Sequence, residues 1–273
     1  MNATKLRQAF LLLSLLLIAR AVAGQAPQVQ FEPQVGQPGK DVVWVPTGQG
    51  LVDKMLDLAK ATPQDYVIDL GSGDGRTVIT AAKRGARALG VEYNPDMVEL
   101  SKQNAVKAGV SDRATFVKAD IFETDFSEAT VLTMFLLPDI NLKLRPKILD
   151  LKAGTRIVSN TFTMGDWKPD DTTSVTENCS NWCNALLWIV PAKVQGTWRF
   201  PEGELRLDQT FQEISGTISL AGKNTSITEA KLRGDDISFK VGGSQYSGRV
   251  AGNTINGAVK NGTRSSNWTA QRN

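Results

Sequence analysis

Tyr66-Val67-Ile68-Asp69-Leu70-Gly71-Ser72-Gly73-Asp74-Gly75-Arg76 is the stretch on which the fold turns. Its first five residues read as a short buried strand, and Thr77 to Arg84 reads as a helix. Glycines at 71, 73 and 75 permit a tight turn and close backbone approach between the two, and the unpaired N–H groups that open the helix suit a negative group. The dinucleotide fingerprint GxGxxG needs a small sixth residue, whereas position 76 is Arg. GxGxG after an acid fits a cofactor without a pyrophosphate. Asp69 either accepts from a ligand ammonium or hydroxyl, or braces the turn.

Outward from this turn, helical and strand-like segments alternate. Helices are expected over residues 51–61, 77–84, 95–108 and 142–149, and strands over 66–70, 87–92, 114–119, 129–137, 155–161 and 186–191. The alternation argues for a parallel sheet covered by helices on both faces. Glu92 ends the second strand, 21 residues after Gly71, where a carboxylate can accept from both hydroxyls of a ribose. Asp120 ends the third strand and suits a bond from an adenine amine, with Ile121 or Phe122 against the ring. Each acid alone is as well explained as a cap or a solvated residue. Their order at successive strand ends is what points to a nucleoside-type cofactor.

At these residues the chain resembles the class I S-adenosylmethionine-dependent methyltransferases, over roughly residues 41–194. More narrowly, Trp44-Val45-Pro46-Thr47, the 69–76 loop, Arg84-Gly85-Ala86-Arg87, Gly90-Val91-Glu92-Tyr93-Asn94-Pro95 and Phe135-Leu136-Leu137-Pro138 are similar to the lysine methyltransferases of the ATP synthase c-subunit and the adenine nucleotide translocase. The resemblance implies an α/β, Rossmann-like, seven-stranded methyltransferase sheet, S-adenosyl-L-methionine as methyl donor, and N-methylation of a protein lysine. It implies cofactor contacts at Asp69, Gly71, Gly73, Glu92 and Asp120, with Thr47, Ser72 and Ile121 beside them. Pro138, Asp139 and Asn141, leaving the fourth strand, are candidates for positioning the acceptor amine; alternatively Pro138 ends the strand and Asp139 caps a helix. Phe162 to Trp167 is a second candidate wall of that pocket, or ordinary core.

The chain has 273 residues and no histidine, which removes Ser-His-Asp and Cys-His catalysis and His-containing zinc sites. No metal is expected. Methyl transfer by in-line displacement needs neither imidazole nor metal, only alignment of acceptor and methyl. Residues 1–23 pair a basic start, Lys5 and Arg7, with an apolar run from Ala9 to Ala19 and a small-residue site at Ala21-Val22-Ala23. This pattern predicts a secretory signal cleaved after Ala23, hence an exported protein, periplasmic in a bacterium, with no stable membrane span afterwards. The segment carries three cations and no acid, so the net charge of +3 falls to zero without it. A neutral mature chain argues against a nucleic-acid partner. Cys179 and Cys183, the only cysteines, favour a local disulfide in a loop over free thiols.

Residues 24–40, rich in Gln, Pro and Gly, read as an extended leader before a methyltransferase domain over 41–194. From Gln195 to Asn273 eleven glycines separate short alternating runs, which predicts a smaller all-β antiparallel sandwich or barrel domain. Gly196-Thr197-Trp198 opens it, with Trp198 expected to anchor the first strand. The oligomeric state is not legible. Two functions compete: a methyltransferase acting on a protein, or an exported non-catalytic protein that retains a nucleoside-type pocket.

Overall fold

The apolar residues of β1 (Tyr66–Leu70) alternate between two faces of a sheet, and that alternation repeats in its neighbours. Val67, Ala88, Val131, Val158 and Leu187 point to one core cluster, whereas Ile68, Leu132, Ile157 and Trp188 point to another. The computed structural model describes residues 31–177 and 179–272, so the signal expected over residues 1–23 lies outside the described residues. Besides β1, the first sheet contains β2 (Arg87–Glu92), β3 (Ala114–Lys118), β4 (Val131–Met134), β5 (Arg156–Asn160), β6 (Asp171–Ser174) and β7 (Asn184–Ile189). Its strand order is β3-β2-β1-β4-β5-β7-β6. The five strands β1 to β5 are parallel; β7 runs antiparallel to β5 and to β6.

Helices α1 (Gln49–Leu58), α2 (Arg76–Lys83) and α3 (Pro95–Lys107) contribute to the first cluster through Leu51, Val78 and Val98. Leu144 and Ile148 of α4 (Pro138–Leu149) bury into the second, on the opposite face. Asn94 caps α3, its side chain accepting from the Asp96 N–H at 2.9 Å, and Pro95 fixes the first turn. The helix expected over 51–61 runs from Gln49 to Leu58 and the strand expected over 186–191 from Asn184 to Ile189, and two further boundaries move at the end of β4. The strand expected over 129–137 stops at Met134, because Phe135-Leu136-Leu137 turn out of the sheet and Pro138 starts α4 four residues earlier than the periodicity suggests.

The remaining strands are β8 (Gly196–Phe200), β9 (Gly203–Thr210), β10 (Glu213–Leu220), β11 (Lys223–Ser226), β12 (Thr228–Arg233), β13 (Asp236–Val241), β14 (Ser244–Ala251), β15 (Thr254–Asn261) and β16 (Arg264–Arg272). They form one antiparallel sheet in the order β11-β10-β9-β8-β16-β15-β14-β13-β12. The sheet curls until its ends approach, and the Ile227 N–H donates to Gly216 O at 3.0 Å. Trp198, Phe239, Ile255 and Trp268 fill the enclosed side. Trp198 anchors its strand with an indole N–H donated to Val194 O at 2.7 Å.

From Gln34 onward the two sheets belong to one compact unit. Trp167, fully buried, stacks on Phe211 with centroids 5.7 Å apart and donates its indole N–H to Gln212 at 2.8 Å. Residues 34–40, expected to be extended, fold back on 42–44 instead. Gly36 N–H donates to Trp44 O and Trp44 N–H to Gln37 O, each at 2.9 Å, and Gly36 takes the turn at φ 86°. Cys179 and Cys183 are bridged, Cα atoms 5.9 Å apart, in a loop between β6 and β7.

Candidate active site

The glycine turn is shaped by two aromatic rings. Gly75 caps α2 at φ 82°, and a Cβ there would sit 2.7 Å from Phe116 on β3. At Gly73 a Cβ would meet the Trp44 indole nitrogen at 2.6 Å. The loop is held to β2 by Gly71 N–H and Ser72 N–H, which both donate to Val91 O, at 2.9 and 3.1 Å. Arg76, the residue that excludes the dinucleotide fingerprint, pairs with Asp74 at 2.6 Å and donates to Thr47 O at 2.8 Å. It therefore ties the turn to the 34–47 segment.

Between these elements, at the carboxyl ends of β1, β2 and β4, lies a cleft of about 1040 Å³ including its open mouth. Thr47, Asp69, Gly71, Ser72, Gly73, Glu92, Asp120 and Ile121 all line it, so every sequence-expected cofactor residue converges there. Glu92 accepts from Gly73 N–H at 3.0 Å through one oxygen and from Asn94 N–H at 2.9 Å through the other. Each oxygen keeps a lone pair for a further donor. Asp120 accepts from Phe122 N–H at 2.9 Å and is hydrogen-bonded to Lys40, which holds its carboxyl below the usual range. Lys40 also sits 5.0 Å over the Tyr93 ring. Sequence reasoning missed Lys40, which hides at the end of a Gln/Pro/Gly run.

Asp69 is 6% exposed and accepts from the Thr133 hydroxyl at 2.6 Å. Burial pushes its pKa up to about 7, reinforced by the Glu92 charge and opposed by the Thr133 and Thr77 hydroxyls. A buried acid whose hydrogen-bond partners among the described residues are hydroxyls, with no cation beside them, is what a ligand ammonium would satisfy. The Ser72 hydroxyl, in the turn that lines the cleft, is buried against Gly90 with no hydrogen-bond partner among the described residues. The residues present thus fit an amino acid joined to a nucleoside: Asp69 for the ammonium, Glu92 for the ribose, Asp120 and Ile121 for the base.

The acceptor candidates scatter more. Phe135, Leu136 and Ile140 line the cleft. Pro138 occupies the first turn of α4, with exposed Asp139 beside it. Asn141 is fully buried, and its amide donates to Phe162 O at 3.4 Å and Thr163 O at 3.2 Å. Of the second candidate wall, Phe162 stacks on Phe135 at 5.8 Å, while Trp167 turns away into the core against Trp188 and Phe211.

The profile of the ANTKMT methyltransferase domain matches residues 69–171. A protein-lysine N-methyltransferase of Saccharolobus islandicus is 46% identical over 143 residues, which span 51% of this chain and 89% of that protein. The chain belongs to this methyltransferase family. The lysine N-methyltransferase of the ATP synthase c-subunit from Mus musculus is 39% identical over 108 residues, covering 39% of this chain and 44% of that enzyme. The chain thus spans less than half of the mouse enzyme. A solved RNA methyltransferase from Salinibacter ruber, in complex with S-adenosyl-L-homocysteine, superposes with a TM-score of 0.52 at 45% identity, over 55% of this chain and 96% of that one. That complex and the donor set of the cleft agree on the cofactor: this methyltransferase uses S-adenosyl-L-methionine.

Proposed function

We propose that the protein transfers a methyl group from S-adenosyl-L-methionine to the side-chain amine of a protein lysine, and that it does so after export. The 46% identity to a protein-lysine N-methyltransferase, over 89% of that protein's length, carries the choice of acceptor. Residues 1–23 carry the choice of compartment. When bound, S-adenosyl-L-methionine supplies an electrophilic methyl on a sulfonium. The chain's own work is to hold and align. Asp69, Glu92 and Asp120 fix three separate parts of the donor, so its position is over-determined.

Phe135, Leu136 and Ile140 give the cleft an apolar wall after β4, which excludes water and favours the neutral, lone-pair form of an incoming amine. Transfer is then an in-line displacement, in which the amine lone pair forms the new bond to carbon as the bond to sulfur breaks. Asn141 serves this wall indirectly, by gripping the backbone at Phe162 and Thr163. Pro138 and Asp139 set the start of α4 behind it.

Incubation with methyl-labelled cofactor and a cell-envelope extract tests the reading. Label recovered as methyl-lysine after acid hydrolysis is expected. Label confined to the RNA fraction would overturn it in favour of the activity named for the Salinibacter protein. Cofactor binding without labelled product would favour a non-catalytic role.

A further inference from the structure

The aromatic residues around Phe135 are held in place at a cost to the backbone. Phe135 lines the cofactor cleft. The Phe162 ring stacks on it with centroids 5.8 Å apart and planes 16° from parallel. Trp182 meets Phe135 edge-on, also at 5.8 Å, with an interplanar angle of 63°. Two of the three rings sit beside left-handed backbone. Phe162 N–H donates to Asn160 O at 2.6 Å across a three-residue turn whose centre, Thr161, is a β-branched residue at φ 59°. Trp182 itself is at φ 54°. Neither residue type adopts this region freely, and strain of this kind persists only where its surroundings enforce it.

The enforcing contacts are visible. Ser159 Oγ donates to Phe162 O at 2.8 Å, and the fully buried Asn141 amide reaches the same oxygen at 3.4 Å. At the other ring, the Cys179–Cys183 disulfide closes a five-residue loop around Trp182. Yet Trp182 remains 43% exposed, so burial does not account for its placement. An indole fixed by a covalent staple, left open to solvent and set against a ring of the cofactor cleft has the form of a cation-binding wall.

We infer that Phe135, Phe162 and Trp182 form a collar through which the acceptor lysine reaches the methyl donor, with the disulfide acting to position Trp182. The inference rests on the lysine-acceptor reading above. A lysine matches the collar in two ways. Its four-carbon stem packs on aromatic faces, and its ammonium is attracted to the π-surface at the mouth. Deeper in, the apolar rings disfavour the charged form and release the lone pair that attacks. An arginine, which does not lose its proton, gains the first benefit and not the second.

The test uses the full chain with poly-L-lysine as probe acceptor and labelled cofactor. Trp182→Ala is expected to raise KM for poly-L-lysine about tenfold, the loss of one cation–π wall, while kcat and the cofactor dissociation constant hold. Trp182→Phe, which keeps a π-face, should restore most of the affinity. The double variant Cys179→Ser, Cys183→Ser should raise KM in the same direction with Trp182 intact. An unchanged KM in Trp182→Ala would overturn the collar and leave the lysine reading standing. Wild-type protein that binds cofactor yet labels no poly-L-lysine would overturn that reading, and the collar with it.

Discussion

Asp69 couples the site to pH. Its folded pKa of about 7 lies above the ordinary 3.8, so between these values the folded, ligand-free protein holds a proton that the unfolded chain has released. Stability from this group is therefore complete below about pH 3.8 and declines as pH rises towards 7. Asp69→Asn should raise the melting temperature of the ligand-free protein at pH 8 and change it little at pH 4. A cationic ligand group beside Asp69 favours the carboxylate, so cofactor binding near pH 6 should release a proton. Titration calorimetry in buffers of different ionisation enthalpy reads that proton, and Asp69→Asn should abolish it. Glu92→Ala removes two possible charge-assisted bonds to the cofactor and should weaken binding by about 1.5–3 kcal/mol, roughly ten- to a hundredfold. Unchanged affinity would refute the assignment of Glu92. Glu92 and Asp120 were legible because the chemistry of a nucleoside demands acceptors at strand ends, and Asp69 because it precedes the glycine turn. Lys40 was not, since a lysine's role depends on where a loop carries it.

At the scale of the elements, the glycine turn is constrained by packing as much as by ligand approach. Gly75 takes a left-handed φ and faces the Phe116 ring, and a Cβ at Gly90 would meet the same ring at 2.5 Å. Gly90→Ala should therefore cost about 1–3 kcal/mol by overpacking, seen as a lower urea midpoint with an unchanged slope. If the midpoint held, Phe116 would have room to move that the packing denies. The helices and parallel strands could be read from periodicity because each buries a regular stripe. β6 could not: Asp171-Thr172-Thr173-Ser174 is polar, mostly exposed, and pairs only with β7 through its backbone. Nor could the end of β4, where Phe135, Leu136 and Leu137 extend the strand pattern but leave the sheet, the first two lining the cleft and the third exposed.

Across the whole molecule, the two sheets are joined by a short seam in which Trp167 is central. Its indole N–H donates to Gln212, whose amide in turn donates to Lys168 O at 2.8 Å, and Ala192 N–H donates to Gly234 O at 2.8 Å. Unfolding should accordingly appear as one calorimetric transition. Gln212→Ala leaves the buried indole N–H unpaired, a cost of about 1–3 kcal/mol. Combined with Phe211→Ala, which removes the stacked ring, it should resolve the transition into two. A single peak in the double variant would mean that the sheets are coupled elsewhere. The seam was hidden in the sequence because Trp167 sits beside acceptor-wall candidates and far from its partners along the chain.

The curled sheet has a consequence for the order of events during synthesis. β16 lies between β8 and β15, in the middle of the strand order, although it is the last of these strands to be made. Until residues 264–272 exist, β8 and β15 have nothing between them, and the two arms of the sheet have no hydrogen-bonded bridge there. Pairing across so long a separation is slow to nucleate. Each arm, a run of consecutive hairpins, can pair as it leaves the ribosome, but the two arms become one sheet only when β16 arrives between them.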